Sequence, residues 1–360
     1  MTNKEKIKNL FRLLSTEEQS ELLSEFTTSI NKQIGQQSGT SKVTNCPYCK
    51  STLLVRNGYI DNVQRYKCKF CHKTFIATIG SSEYNLKKRN KFEEYKSLIL
   101  EQYYPIKKIA EKVGISVQTA FDWRHKILSG LKKQDTEFSG ITELDDIWFL
   151  YSQKGRKGLK YSRKRGGSKR QGDNNYQVKM LVTADRKANV DMSIVRIGRL
   201  KKSDIERSVG DKFSPDSTLV SDKHRSISSF AKVKNLCHVS FKAAKHSAGG
   251  IYHVQNVNNI ASRMKSIVNH HLRGVSSKYL QSYANWFAFM ERNKNDRELK
   301  QKLDQELNQN EENWYIFTNI EHWYKQFIKN RSVRTYRCPT KRVWKRTYMK
   351  LGAFNGIMYI

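Results

Sequence analysis

Between residues 5 and 29, apolar side chains recur at helical spacing: Ile7, Leu10, Leu13, Leu14, Leu22, Leu23 and Phe26. The rhythm breaks at Ser15-Thr16-Glu17-Glu18, which reads as a helix restart with Ser15 or Thr16 as the N-cap. A polar linker, GQQSGTSKVTN, follows at 35–45, and a second helical unit runs from about 88 to 132. From Gly140 the texture changes. GITELDDIWFL (140–150), YQVKMLVTAD (176–185), VDMSIVRIG (190–198), STLVSD (217–222) and CHVSF (237–241) read as short strands, and SISSFAKVK (226–234) as a helix. Strands carrying acids near their ends and followed by helices predict an α/β sheet that gathers carboxylates at one edge.

The stretch HVQNVNNIASRMK, 253–265, holds four amides and no acid. At roughly 100° per residue, Val254, Val257, Ile260, Ala261, Met264, Ile267, Val268 and Leu272 fall on one arc of a helix. Asn258 and Lys265 lie side by side just beyond one edge of that arc. Gln255 and Asn259 point away, and Asn256 sits at the opposite edge.

Charge changes the picture. The 360 residues hold 67 Lys+Arg against 33 Asp+Glu, a net +34 with a pI near 9.9. A lysine-rich solvated surface accounts for part of the surplus; the remainder predicts a polyanionic partner, most simply nucleic acid. No apolar run approaches the roughly 20 residues of a spanning helix, so no membrane partner is expected. The N-terminus lacks a secretion signal, which points to a reduced, cytoplasmic setting.

Two cysteine pairs, Cys46-Pro-Tyr-Cys49 and Cys68-Lys-Phe-Cys71, stand 18 residues apart. Each CxxC turn supplies two thiolates, so the four form a zinc-ribbon ligand set closed to catalysis, with one structural zinc. Between them lies a hairpin pattern with Gly58 as its turn signal. Cys237 and Cys338 read as ordinary thiols.

YPIKKIAEKVGISVQTAFDWRHKIL, 104–128, reads as a helix-turn-helix. Ile106, Ile109, Ala110 and Val113 face inward, Gly114 permits the turn and Ser116 caps the second helix. Val117, Ala120, Phe121 and Ile127 continue the buried side. That leaves Gln118, Thr119, Arg124 and His125 outward for a major groove. In KGRKGLKYSRKRGGSKR, 154–170, nine basic residues and no acid form a loop suited to phosphates, Arg163, Lys164 and Arg165 among them.

This order of zinc ribbon, helix-turn-helix, ELDD, RKRGG, LVTADR, VSD, YHVQNVN…SRMK and RGVSSKYLQSYANW resembles bacterial insertion-sequence transposases of the zinc-ribbon DDE family, ISXO2-like, in their Asp-Asp-Asn-Lys branch. The likeness covers nearly all of residues 5–292. It implies an RNase H-like α/β core in which Asp145, Asp222 and Asn258 hold two Mg²⁺ ions, with Lys265 beside them. It implies strand cleavage and transfer on double-stranded DNA, both element ends and target, by a homodimer or larger assembly associated with the bacterial nucleoid. Asp146 stands where the family usually has Glu, and Ala261 where His is frequent. The domains expected are a helical segment (1–40), zinc ribbon (41–82), helix-turn-helix (85–135), catalytic core (138–295) and a basic, aromatic extension (296–360). A regulator that no longer cuts, or an RNase H-like nuclease that cuts without joining, remains open from the residues alone.

Overall fold

The computed structural model describes residues 3–26, 43–60, 63–76, 78, 83, 86–131, 137–156, 172–242 and 247–309. Two compact units divide the chain: residues 1–98 with 304–314, and residues 99–303 with 315–360.

In the first unit, helix α1 (Asn3–Arg12) precedes α2, helical over 16–26. The restart occurs where the sequence puts it. The Glu18 amide donates to Ser15 Oγ (3.3 Å) and the Ser15 amide to the Glu18 carboxylate (2.8 Å), a capping box. Strands β1 (Leu54–Ile60), β2 (Val63–Cys68) and β3 (Thr74–Ile76) form an antiparallel sheet in that order. Gly58 does not make the hairpin turn. It sits inside β1 at φ 74°, where the register with β2 slips between Arg56 and Tyr59. Its freedom at positive φ serves a bulge, while Ile60 pairs directly with Val63. Helix α3 (Arg89–Glu101) follows.

In the second unit, α4 (Ile106–Val113) and α5 (Val117–Gly130) meet at Gly114, whose left-handed φ of 65° and ψ of 47° ends α4. The Ile115 amide then closes on the Ala110 carbonyl at 3.0 Å. Ser116 caps α5 by accepting the Thr119 amide at 3.0 Å. Ile109, Ala110, Val113, Ala120 and Ile127 are buried as the pattern predicts, whereas Val117 is 52% exposed. The buried side of α5 is rotated from the expected one because α5 packs along α9. Helices α4 and α5 fall in the same compact unit as the sheet.

The central sheet contains β4 (Ile141–Leu150), β5 (Gln177–Asp185), β6 (Val190–Ile197), β7 (Thr218–Asp222) and β8 (Cys237–Phe241), ordered β6-β5-β4-β7-β8. The first three strands are antiparallel; β7 and β8 run parallel to β4. Parallel neighbours need crossovers. Helix α6 (Lys202–Val209) precedes β7, and α7 (Arg225–Val233) joins β7 to β8. Both cover one face, where Leu144, Leu181 and Leu219 pack on Ile205, Val209, Ile227 and Phe230. Val220, next to Leu219 and so on the other face, packs on Val254. That face is covered by a small hairpin, β9 (Ser247–Gly249) with β10 (Tyr252–His253), and by α8 (Gln255–Ser266) and α9 (Leu280–Arg292). A π-turn, Ile267–His271, ends α8 with the Leu272 amide on the Ile267 carbonyl. Gln281 of α9 bonds the backbone of edge strand β6 twice, at Ile194 N and Met192 O, satisfying groups a strand neighbour would otherwise take. The last helix among the described residues, α10, is Leu299–Gln309.

Candidate functional site

Strands β4 and β7 carry the two aspartates in step. Their paired register ends with Glu143 opposite Val220, and Asp145 and Asp222 each lie two residues further on. They therefore leave adjacent parallel strands at the same level. Burial raises the Asp145 carboxyl to about 7, with the like charges of Asp146 and Asp222 adding to it. The Asp146 amide, bonded to Asp145 Oδ1 at 2.8 Å, and the Lys265 ammonium oppose that rise. Asp145 thus stands under the charges of both Asp222 and Lys265. A cation among these carboxylates would relieve the repulsion, and their hard oxygens suit Mg²⁺.

Asp146 is turned away. Alternation sends it to the opposite face of β4, where Lys179 reaches it at 2.7 Å and also pairs with Asp173 at 2.6 Å. A lone lysine inside the fully buried strand β5 was the available signal for this pair.

All eight residues of the arc read from the sequence, Val254 through Leu272, are buried along α8 and the π-turn that ends it. Asn258 and Lys265, seven residues apart, stand half-buried along its edge. The other three amides do different work: Gln255, Asn256 and Asn259 line a cleft of about 1030 Å³ with Arg186, Arg263 and Glu291. Glu143, whose role the sequence did not reveal, is 1% exposed and accepts the Val257 amide at 3.0 Å.

In the first unit, the sulfurs of Cys46, Cys49, Cys68 and Cys71 all lie within 4.8 Å of one another. Cys46–Cys71 and Cys49–Cys68 are each 3.6 Å apart, too far for a disulfide. A zinc–sulfur bond of about 2.3 Å gives a tetrahedral edge of about 3.8 Å, so the cluster fits one zinc ion. The amides of Cys71 and Phe70 draw the Cys68 thiol down to about 6, against burial, which favours a thiolate there.

The groove-facing set on α5 needs correction. Gln118 is exposed and Thr119 partly so, but Arg124 and His125 are buried, at 0% and 1% exposure. Arg124 donates to the Tyr104 carbonyl at 2.9 Å and lies 5.0 Å over the Trp286 ring. His125 packs 4.0 Å from Tyr279 and 4.1 Å from Phe121, ring centre to ring centre. The cause is tertiary: α9 covers the side of α5 that the sequence pattern left to solvent. Arg163, Lys164, Arg165, Cys338 and the C-terminal tryptophans Trp314, Trp323 and Trp344 lie outside the described residues.

The ISXO2-like transposase domain family matches residues 137–292. An uncharacterized protein in transposable element ISH50 of Halobacterium salinarum is 27% identical over 145 residues, 39% of this chain and 49% of its own length. Haptoglobin of Cervus elaphus is 26% identical over 134 residues, 35% of this chain and 32% of its own. The chain thus spans a half or less of these relatives' length, and neither brings an activity to it. A pre-cleavage Mos1 transpososome aligns at TM-score 0.25 and 11% identity, over 60% of this chain and 78% of that one. The Mos1 mariner paired end complex with Mn gives 0.23 and 14%, over 90% and 97%. Scores this low carry no argument. No described helix is long and apolar enough to cross a membrane. Residues 137–292, less than half of the chain, are similar to the ISXO2-like transposase domain.

Proposed function

We propose that this chain is the transposase of an insertion sequence, cutting double-stranded DNA at the element's ends and joining the freed 3′ ends to target DNA. The observation that carries the reading is that Asp145 and Asp222 stand at the same level of adjacent parallel strands, with Asp145 under the charges of both Asp222 and Lys265, within the family-matched residues. The strand order, three antiparallel strands extended by two parallel ones, supports an RNase H-like core.

In this reading Asp145 and Asp222 present carboxylate oxygens, and Asn258 a neutral carbonyl oxygen, to two Mg²⁺ ions. When bound, such ions supply an activated water or 3′-hydroxyl and neutralise charge on the leaving oxygen. Lys265 places a fixed positive charge beside the scissile phosphate, where the amide of Asn258 brings none. In-line attack forms one P–O bond and breaks another, so no protein-bound intermediate is required. One zinc on the four thiolates shapes the ribbon, which with Gln118 and Thr119 of α5 binds the ends. The net +34 supports a polyanionic partner. Pairing two ends calls for a dimer or larger assembly on DNA, and the site of action is the bacterial cytoplasm.

The test is strand cleavage and joining in Mg²⁺ on DNA bearing the element's ends. Asp222→Ala and Asn258→Ala should each abolish or strongly reduce it. Equal activity in wild type and both variants refutes the site; loss with Asp222→Ala alone keeps the enzyme and removes Asn258 as a ligand.

A further inference from the structure

Helix α8 begins without a cap of its own. Val254 occupies the N-cap position, and no side chain of that residue can accept a bond. The acceptor comes from another element: Glu143 on β4 takes the amide of Val257, the third residue of α8, at 3.0 Å. This is the bond a Ser or Asp N-cap would make, delivered from a residue 114 positions away. The carboxylate is buried, and its second oxygen is held by the charge of Arg186, whose Nη2 lies 2.9 Å away; His253 Nδ1, 3.5 Å from the same oxygen, accepts the Gln255 amide at 3.3 Å. Arg186 also donates to the Ile251 carbonyl at 3.0 Å. One carboxylate therefore joins β4, the turn after β5, the β9–β10 hairpin and the first turn of α8.

The placement has a consequence for the site. Glu143 stands two residues before Asp145 on the same face of β4, and Val257 stands one residue before Asn258. We infer that Glu143 is a positioning residue: by capping α8 in trans, it fixes the height and rotation at which Asn258 meets Asp145. The inference rests on the metal-site reading above. A buried acid that touched only solvent-facing partners would not set this register; one bonded to the helix's third amide does. A negative charge is also favoured at that end of the helix dipole.

The experiment uses the full chain with two variants. Glu143→Met keeps the length but accepts no bond; Glu143→Gln keeps an acceptor for the Val257 amide. Hydrogen exchange is followed across residues 254–262, and binding of Mn²⁺ alone is titrated, with Asn258→Ala and Asp222→Ala alongside. Glu143→Met should speed exchange in the first turn of α8 about tenfold, the scale of a lost cap. It should also weaken Mn²⁺ binding about as much as Asn258→Ala, which leaves exchange in that turn unchanged. Glu143→Gln should stay near wild type in both. Unchanged exchange in Glu143→Met overturns the cap. Fast exchange with wild-type Mn²⁺ binding overturns the positioning of Asn258. Fast exchange in Glu143→Gln overturns it too, assigning the order to the ion pairs. If the wild type binds no Mn²⁺ that Asp222→Ala removes, the metal-site reading fails instead, and the positioning of Asn258 falls with it; the exchange data still decide the cap.

Discussion

His125 provides a quantitative test of how α5 is used. Burial holds its imidazole down at about 4 from 6.5; the nearby charges of Arg124 and Lys278 add to that, and the Phe121 carbonyl, 2.8 Å from Nδ1, opposes it. Tyr279, at the N-cap of α9, and Tyr283 within it pack against the ring. A histidine with a depressed folded pKa stabilises the fold above the unfolded value and loses that contribution as pH falls toward the folded one. The loss therefore begins near pH 6.5 and completes near pH 4. Full protonation of the unfolded form across 2.5 pH units is worth about 3 kcal/mol, and by pH 5 about 2 kcal/mol of it is gone. His125→Leu has nothing to protonate. Urea denaturation of wild type and variant at pH 7.5 and pH 5.0 should show the wild type losing about 2 kcal/mol more than the variant on acidification. Binding to a DNA duplex, followed against salt, should have the same slope in both, since a buried neutral ring touches no phosphate. Equal acid sensitivity of the two proteins, or a shallower salt slope in the variant, would show that His125 faces solvent and refute the placement.

Other outcomes follow from the same geometry. Lys179→Met strands Asp146 without its buried cation and should cost about 3 kcal/mol in urea unfolding, while adding Asp146→Leu should recover most of it; a single variant as stable as wild type refutes the pair. Metal analysis should find one zinc per chain, released by chelators with loss of β1–β3 order by circular dichroism; Cys68→Ser should abolish retention. Zinc-free protein with an unchanged spectrum would contradict a structural ion. Gly114→Ala puts a Cβ at φ 65°, so it should cost about 1 kcal/mol, measured by thermal melting; no shift would mean the turn relaxes freely.

Local physics settled what depends on neighbours in sequence. The capping box at Ser15–Glu18, the Gly114 turn, the Cys46/Cys49 and Cys68/Cys71 knuckles and the buried arc of α8 all follow from spacings of a few residues. The strands around ELDD and VSD likewise came from short patterns, and the family likeness came from their order. What tertiary structure decided lies between elements far apart in the chain. Arg124 and His125 looked solvent-facing because a helical wheel knows nothing of α9, which arrives some 150 residues later and closes over them. Gly58 looked like a turn because glycine signals positive φ without saying whether a turn or a bulge uses it. Asp146 and Asp145 are adjacent in sequence, yet the pleat sends one to Lys179 and the other toward Asp222. Glu143 was visible as a strand acid, but its service to α8 depends on a bond across 114 positions. Sequence patterns report periodicity and local bonding; which face is buried twice, and which charge meets which, is fixed only when the elements pack.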